Sequence, residues 1–231
     1  MIYKKDTIKE SWILLAKCFF GGVFLAVIFS LAFSLLVIPD ISFTNPLLNA
    51  FYNAFFGAAI PEEIAKFVIL YFITWNSKKF DQYYDGIIYA VYVSLGFALT
   101  ENIFYVIDGG FSVALGRAIL SVPGHGFFGI AMGYYYSIAR FSSFDNYNKY
   151  LALCLLSAIA LHGIYDFILM YAGADSLSKI MILLLMIIFT VFIILLWRQG
   201  FKKIKKHIEK DKALINSDEN QEKESTIISN L

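Results

Sequence analysis

The chain has 231 residues, of which 59% are hydrophobic and 16% charged, with 23 Phe and 15 Tyr, and its mean hydropathy is +0.66. A soluble domain of this size is about 45–50% apolar, so the composition excludes a water-soluble globule and indicates an all-α, polytopic transmembrane helix bundle. A net charge of +1 offers no electrostatic footprint for nucleic acid, and two cysteines in apolar runs, Cys18 and Cys154, exclude a disulfide framework and read as small buried hydrophobes.

In chain order, Lys4, Lys5 and Lys9 precede a first apolar run at 13–38. The "LLAKC" stretch, Leu14–Cys18, is not a lipoprotein site, because Lys17 directly precedes the cysteine and the apolar run follows it. An uncleaved first helix is expected. Further spans of about 20 residues are expected at 47–74, 86–107, 111–139, 151–172 and 178–197. Pro123 and Gly124 should kink or break the fourth. A short interfacial piece over 111–121 followed by a helix from Pro123 fits equally well.

Basic residues alternate along the loops. They occur in the N-terminal flank, at Lys78 and Lys79, at Arg140 and Lys149, and after Arg198, and are missing from 39–46, 108–116 and 173–177. This predicts six spans with both termini in the cytoplasm, with Arg117 and Lys179 as mild exceptions near the outer face. Residues 1–198 form one membrane domain and 199–231 a cytoplasmic tail. In the tail, 199–212 is a basic amphipathic stretch that lies on the lipid surface with His207 solvated, and 213–231 is polar and unstructured.

Several ionisable groups fall inside the expected spans: Glu62, Glu63 and Lys66 in the second, Glu101 (followed by Asn102) in the third, His125 in the fourth, His162 and Asp166 in the fifth. Each charge at a bilayer centre costs roughly 2.5–3.5 kcal/mol on insertion scales. At about 1.5 Å rise per residue, alternating helix directions put Glu63, Glu101, His125 and His162 in one broad middle layer. Glu62 and Lys66 are spaced i, i+4, so Lys66 most simply neutralises Glu62, while Glu63 points about 100° away toward a cavity. His162 and Asp166 are also i, i+4, so Asp166 holds a ring nitrogen of His162 or joins the site itself. Gly126, Gly129 and Gly133 signal close helix packing.

Taken singly, a Glu–Lys pair in a span is as readily structural, and a lone intramembrane His is ordinarily just hydrogen-bonded. Their co-occurrence on four consecutive helices argues for a site. Carboxylates and imidazoles together can activate a water by general base catalysis or hold a divalent metal such as zinc. Asn102 could donate to a developing oxyanion. No HExxH is present. A proton- or cation-coupled transporter and a non-catalytic membrane scaffold are the alternatives the residues leave open.

Four motifs then occur in order: "EEIAK" (Glu62–Lys66), "GFALTEN" (Gly96–Asn102), "GHGFFG" (Gly124–Gly129) and "HGIYD" (His162–Asp166). Together they resemble the PrsW family of intramembrane proteases. That family is similar in motif logic to type II CAAX prenyl endopeptidases and Abi-type membrane proteases, but the spacing of Lys66 after the glutamates favours PrsW. The resemblance implies a peptidase of the bacterial plasma membrane acting on a membrane-anchored protein, with anti-sigma factors in stress signalling as the associated substrates. It implies Glu62, Glu63, Glu101, His125, His162 and Asp166 as the catalytic set. Glu63, Glu101, His125 and His162 are then the expected ligands of a zinc or other divalent ion, with Lys66 and Asn102 in support. Metal-dependent and glutamate-driven chemistry both remain open at this point.

Overall fold

The computed structural model describes residues 10–229, apart from the side chains of residues 108, 114, 144 and 218–229. The basic flank at Lys4, Lys5 and Lys9 therefore lies outside the described residues. Among those described, every regular element is helical. Helix α1 is Trp12–Val37, with a π-helical section at Gly21–Ala26. Helix α2 covers 46–74 and has a second π-helical section, Asn53–Ala59, directly before the segment that carries the glutamates. Helices α3 (83–109) and α4 (111–140) meet at Gly110, and α5 is Phe144–Ala172. Helix α6 is Lys179–Ser229.

Local chemistry sets the helix starts. Asn45 accepts hydrogen bonds from the Leu47 and Leu48 amides at 2.9 and 3.2 Å, with Pro46 at the first helical turn of α2. The α3–α4 turn needs a left-handed residue, and Gly110 supplies it at φ 76°. Dihedrals stay helical through Pro123 and Gly124, so the expected break there does not occur. Proline inside a membrane helix is tolerated where neighbouring helices re-satisfy the backbone. The segment 111–121 is one continuous helix with the histidine-bearing turn that follows.

Helix α3 is the central post. A Cβ on Gly22 would lie 2.1 Å from the Val93 carbonyl oxygen, and one on Gly96 2.0 Å from that of Phe19, so α1 and α3 cross backbone to backbone. On the other side Gly133 of α4 meets the Gly86 carbonyl. The glycine stripe read from the sequence is thus a packing device at Gly129 and Gly133, whereas Gly126 has room around it. Tyr84, Ile87, Ile88, Tyr89 and Tyr136 fill the core between these helices, together with Cys18 and Cys154, both buried and free.

The chain is an all-α membrane helix bundle. Among the described residues, four stretches are long and apolar enough to cross a membrane: Trp12–Val37, Tyr83–Ile107, Asp145–Ala172 and Lys179–Ser217. Segments 46–74 and 111–140 are helical but are not among these four.

The tail departs most from expectation. Residues 213–229 are helical, as an extension of α6. The physical reason is that no Gly or Pro follows Gly200, so no helix breaker interrupts α6. Residues 230–231 lie outside the described residues. His207 is not solvated but buried, stacked on the Tyr134 ring at 4.4 Å, with its Nε2 donating to the Tyr134 carbonyl at 3.0 Å. Lys203 lies over the rings of Tyr134 and Tyr135, and Lys210 lies 3.6 Å over that of Tyr83. Asp211 accepts from the Tyr83 and Tyr84 amides at 2.7 and 2.8 Å, so the tail caps the N-terminus of α3. Asp211→Ala is expected to cost roughly 1–2 kcal/mol, as loss of a cap does. Thermal unfolding in detergent reads that loss, and faster tryptic cleavage within 202–212 would accompany it.

Candidate active site

The site begins where the π-helical section of α2 ends. Glu62 and Glu63 occupy the next helical turn, and Lys66 lies one turn further on. The Lys66 ammonium donates to Glu63 Oε1 at 2.7 Å and Glu62 Oε2 at 3.3 Å, and lies 3.1 Å from Nδ1 of His125 on α4. It also sits 4.2 Å above the Phe97 ring of α3. An ammonium has no acceptor capacity, so Nδ1 of His125 is the lone-pair nitrogen and Nε2 carries the hydrogen. That Nε2–H donates to Glu101 Oε2 of α3 at 2.8 Å.

His162 repeats the pattern from α5. Its Nδ1 faces Glu63 Oε1 at 2.8 Å, and its Nε2 faces Asp166 Oδ2 at 3.1 Å and Glu62 Oε2 at 4.0 Å. Each imidazole therefore has an outer carboxylate at Nε2, Glu101 for His125 and Asp166 for His162, while Nδ1 turns inward. The two rings are 5.1 Å apart, centroid to centroid, and Phe128 stacks on His162.

A cavity of about 370 Å³ opens onto this group, with Glu62, Glu101, Arg117, His125, His162 and Asp166 on its polar wall. Glu63 and Lys66 lie behind that wall, both fully or nearly fully buried. The structure therefore brings together Glu62, Glu63, Lys66, Glu101, His125, His162 and Asp166 from four consecutive helices, α2 to α5. It reverses two details. Lys66 is nearest Glu63, and Glu62 is the glutamate that faces the cavity, because the helix rotation buries Glu63 between α2 and α5. Asn102 is not on the cavity wall, and its Oδ1 is buried without a hydrogen-bond partner.

The donor set suits a metal ion. One ligand atom each of Glu62, Glu63, His125 and His162 lies within 4.8 Å of the others. Glu63 Oε2 is buried without a hydrogen-bond partner, which leaves one carboxylate oxygen of the group for a ligand. Two imidazoles and a carboxylate match the set used by catalytic zinc. Glu101 falls outside this group, as its oxygens are taken by His125 and by Arg117, whose Nη2 is 2.6 Å away. A second acidic group, Glu10, Asp81 and Asp85, has a structural use, since Asp85 accepts from the Asp81 and Gln82 amides at the start of α3.

Arg117 is the site residue that sequence reasoning missed. Two signals pointed to it: it breaks the charge alternation of the loops, and it precedes His125 by eight residues, two turns away on the same side of one helix.

A sequence model described as "PrsW family intramembrane metalloprotease" matches residues 10–196. The chain belongs to the PrsW family. Its similarity to individual PrsW proteins runs over most of its length. It is 37% identical over 213 residues to Protease PrsW of Oceanobacillus iheyensis, covering 89% of this chain and 88% of that one. It is 34% identical over 211 residues to the Clostridioides difficile protein, covering 89% and 84%, and 39% identical over 158 residues to that of Bacillus subtilis, covering 68% of each. No solved structure matches the chain. PrsW membership makes the chain a peptidase of a bacterial membrane and takes precedence over the transport and scaffold alternatives.

Removing Lys66 tests the network directly. Lys66→Met strips the buried Glu63 of its cation, and breaking a buried pair in this way costs about 3–5 kcal/mol. Thermal unfolding in detergent, without added metal, is expected to show a loss of that size.

Proposed function

We propose that this protein is a metal-dependent intramembrane endopeptidase of the bacterial plasma membrane. Its substrate is a membrane-anchored protein, with an anti-sigma factor as the class that family resemblance favours. One observation carries the reading: inward-turned imidazole nitrogens from α4 and α5 meet Glu63 of α2 at the back of a cavity. Glu63, His125 and His162 would hold the ion, the His125 Nδ1 lone pair passing to it from the Lys66 N–H that it accepts here, with zinc preferred over other divalent metals. Such an ion, when bound, lowers the pKa of a water and polarises a carbonyl.

The remaining residues take distinct parts. Glu62 is the one glutamate of the pair that faces the cavity, so it is the general base that accepts the proton of the attacking water. Glu101 and Asp166 orient the imidazoles through Nε2. Lys66 balances the negative charge of α2. The scissile segment must enter extended, because the peptide bonds of a helix are shielded by their own hydrogen bonds. Six spans with cytoplasmic termini remain our assignment, supported by the alternation of basic residues along the loops.

Elemental analysis of purified protein is the deciding experiment. Near-stoichiometric zinc is expected in the wild type and should be lost in the His125→Ala, His162→Ala double variant. Metal-free protein that still cleaves a membrane-anchored substrate would overturn the metal-dependent reading and leave the glutamates alone to activate water. Glu62→Gln is expected to keep its zinc while cleavage falls by about 10²–10⁴-fold, the usual contribution of a general base.

A further inference from the structure

Arg117 sits on α4, outward of His125, at the edge of the cavity. Its Nη2 donates to Glu101 Oε1 at 2.6 Å, and its guanidinium lies over the Tyr105 ring, 3.6 Å from the centroid. Glu101 and Tyr105 are spaced i, i+4 on α3, so they form one face that clamps the guanidinium. The contact therefore crosses the α3–α4 turn at Gly110. The other oxygen of Glu101 accepts from His125 Nε2, also on α4 but eight residues away. One carboxylate of α3 thus straddles two residues of α4, with each oxygen engaged.

We propose that Arg117 is a positioning residue for the metal site: it fixes Glu101, and through Glu101 it holds the His125 ring with Nδ1 facing the ligand group. The inference rests on the metal-dependent reading above. Its physical basis is rotational. A glutamate with a single partner can swing about its terminal torsion and exchange one oxygen for the other. With both oxygens engaged, Glu101 has one orientation. It stays an outer partner of His125 instead of swinging into the cavity to compete as a ligand. The strength of the hold has two sources. The ion pair is only about one-fifth exposed at each side chain, so it is less screened than a surface pair, and a planar guanidinium stacked on an aromatic ring loses little freedom on pairing.

Binding of zinc(II), and of cobalt(II) as a spectroscopic probe, tests this in purified full-length protein. Partners one step beyond the metal ligands typically change affinity by about 10–100-fold, so Arg117→Gln is expected to weaken zinc binding by roughly 10-fold. It should also alter the cobalt visible bands, because His125 and Glu101 are no longer held. Arg117→Lys, which keeps the charge but not the planar guanidinium over Tyr105, should recover part of the affinity. In a Glu101→Gln background the Arg117→Gln change should have little further effect, since both act through the same carboxylate. Wild-type affinity and spectrum in Arg117→Gln would overturn the inference alone. So would an undiminished effect of Arg117→Gln in the Glu101→Gln background. Failure of the wild type to bind metal would remove the reading beneath it and the inference together.

Discussion

An ammonium buried among apolar helices is tolerable only if nearly every direction it faces offers negative charge, a lone pair or an aromatic face. Lys66 meets that condition with Glu62 and Glu63 on its own helix, His125 on α4 and the Phe97 ring of α3. The rest of the site follows from this. The bond to His125 Nδ1 forces the hydrogen onto Nε2, which requires an acceptor, and Glu101 is placed there. Glu63, held by Lys66, in turn faces Nδ1 of His162, whose far nitrogen is met by Asp166. One cation therefore sets the rotation of two rings on two other helices.

Such a network is useful only if the helices carrying it stay in register to within a fraction of an ångström. The glycine crossings do this by letting backbones touch. Backbone contact between α1 and α3 at Gly22 and Gly96, and between α3 and α4 at Gly86 and Gly133, leaves no side chain to yield. Helices α1 and α6 supply no group to the cavity wall. The site is thus built on the middle four helices and buttressed by the outer two.

How far this was legible in the sequence depends on what each signal encodes. Glu62, Glu63, Glu101, His125, His162 and Asp166 stood out because ionisable groups in apolar runs carry an energetic cost that demands a partner. Their common depth followed from helix rise. Rotation about each helix axis was not legible. A 100° step between Glu62 and Glu63 gives their relative direction but not which one faces the cavity. The turn between α3 and α4 was legible, since spans at 86–107 and 111–139 leave it where Gly110 makes it, but the further break expected at Pro123–Gly124 does not occur, because neighbouring helices can satisfy the backbone that proline frees. Arg117 looked like a charge near the outer face, since nothing local says that a helix turns back over Glu101. His207 looked solvated because its neighbours in sequence are lysines, and the Tyr134 and Tyr83 rings that cover it belong to other helices.

The docking of Asp211 onto the first amides of α3 has a practical consequence for how the protein is handled. A boundary drawn at residue 198 looks natural in the sequence, since the apolar run stops there. Cutting the gene at that point would uncap the same helix that presents Glu101 eighteen residues after Tyr83. A shortened version that loses activity would then say nothing about a regulatory tail, because the damage would have been done to the scaffold. Fusion tags belong after the described helix, beyond Ser229, and antibodies or proteases directed at 202–212 would report on the folding of α3 as much as on the tail.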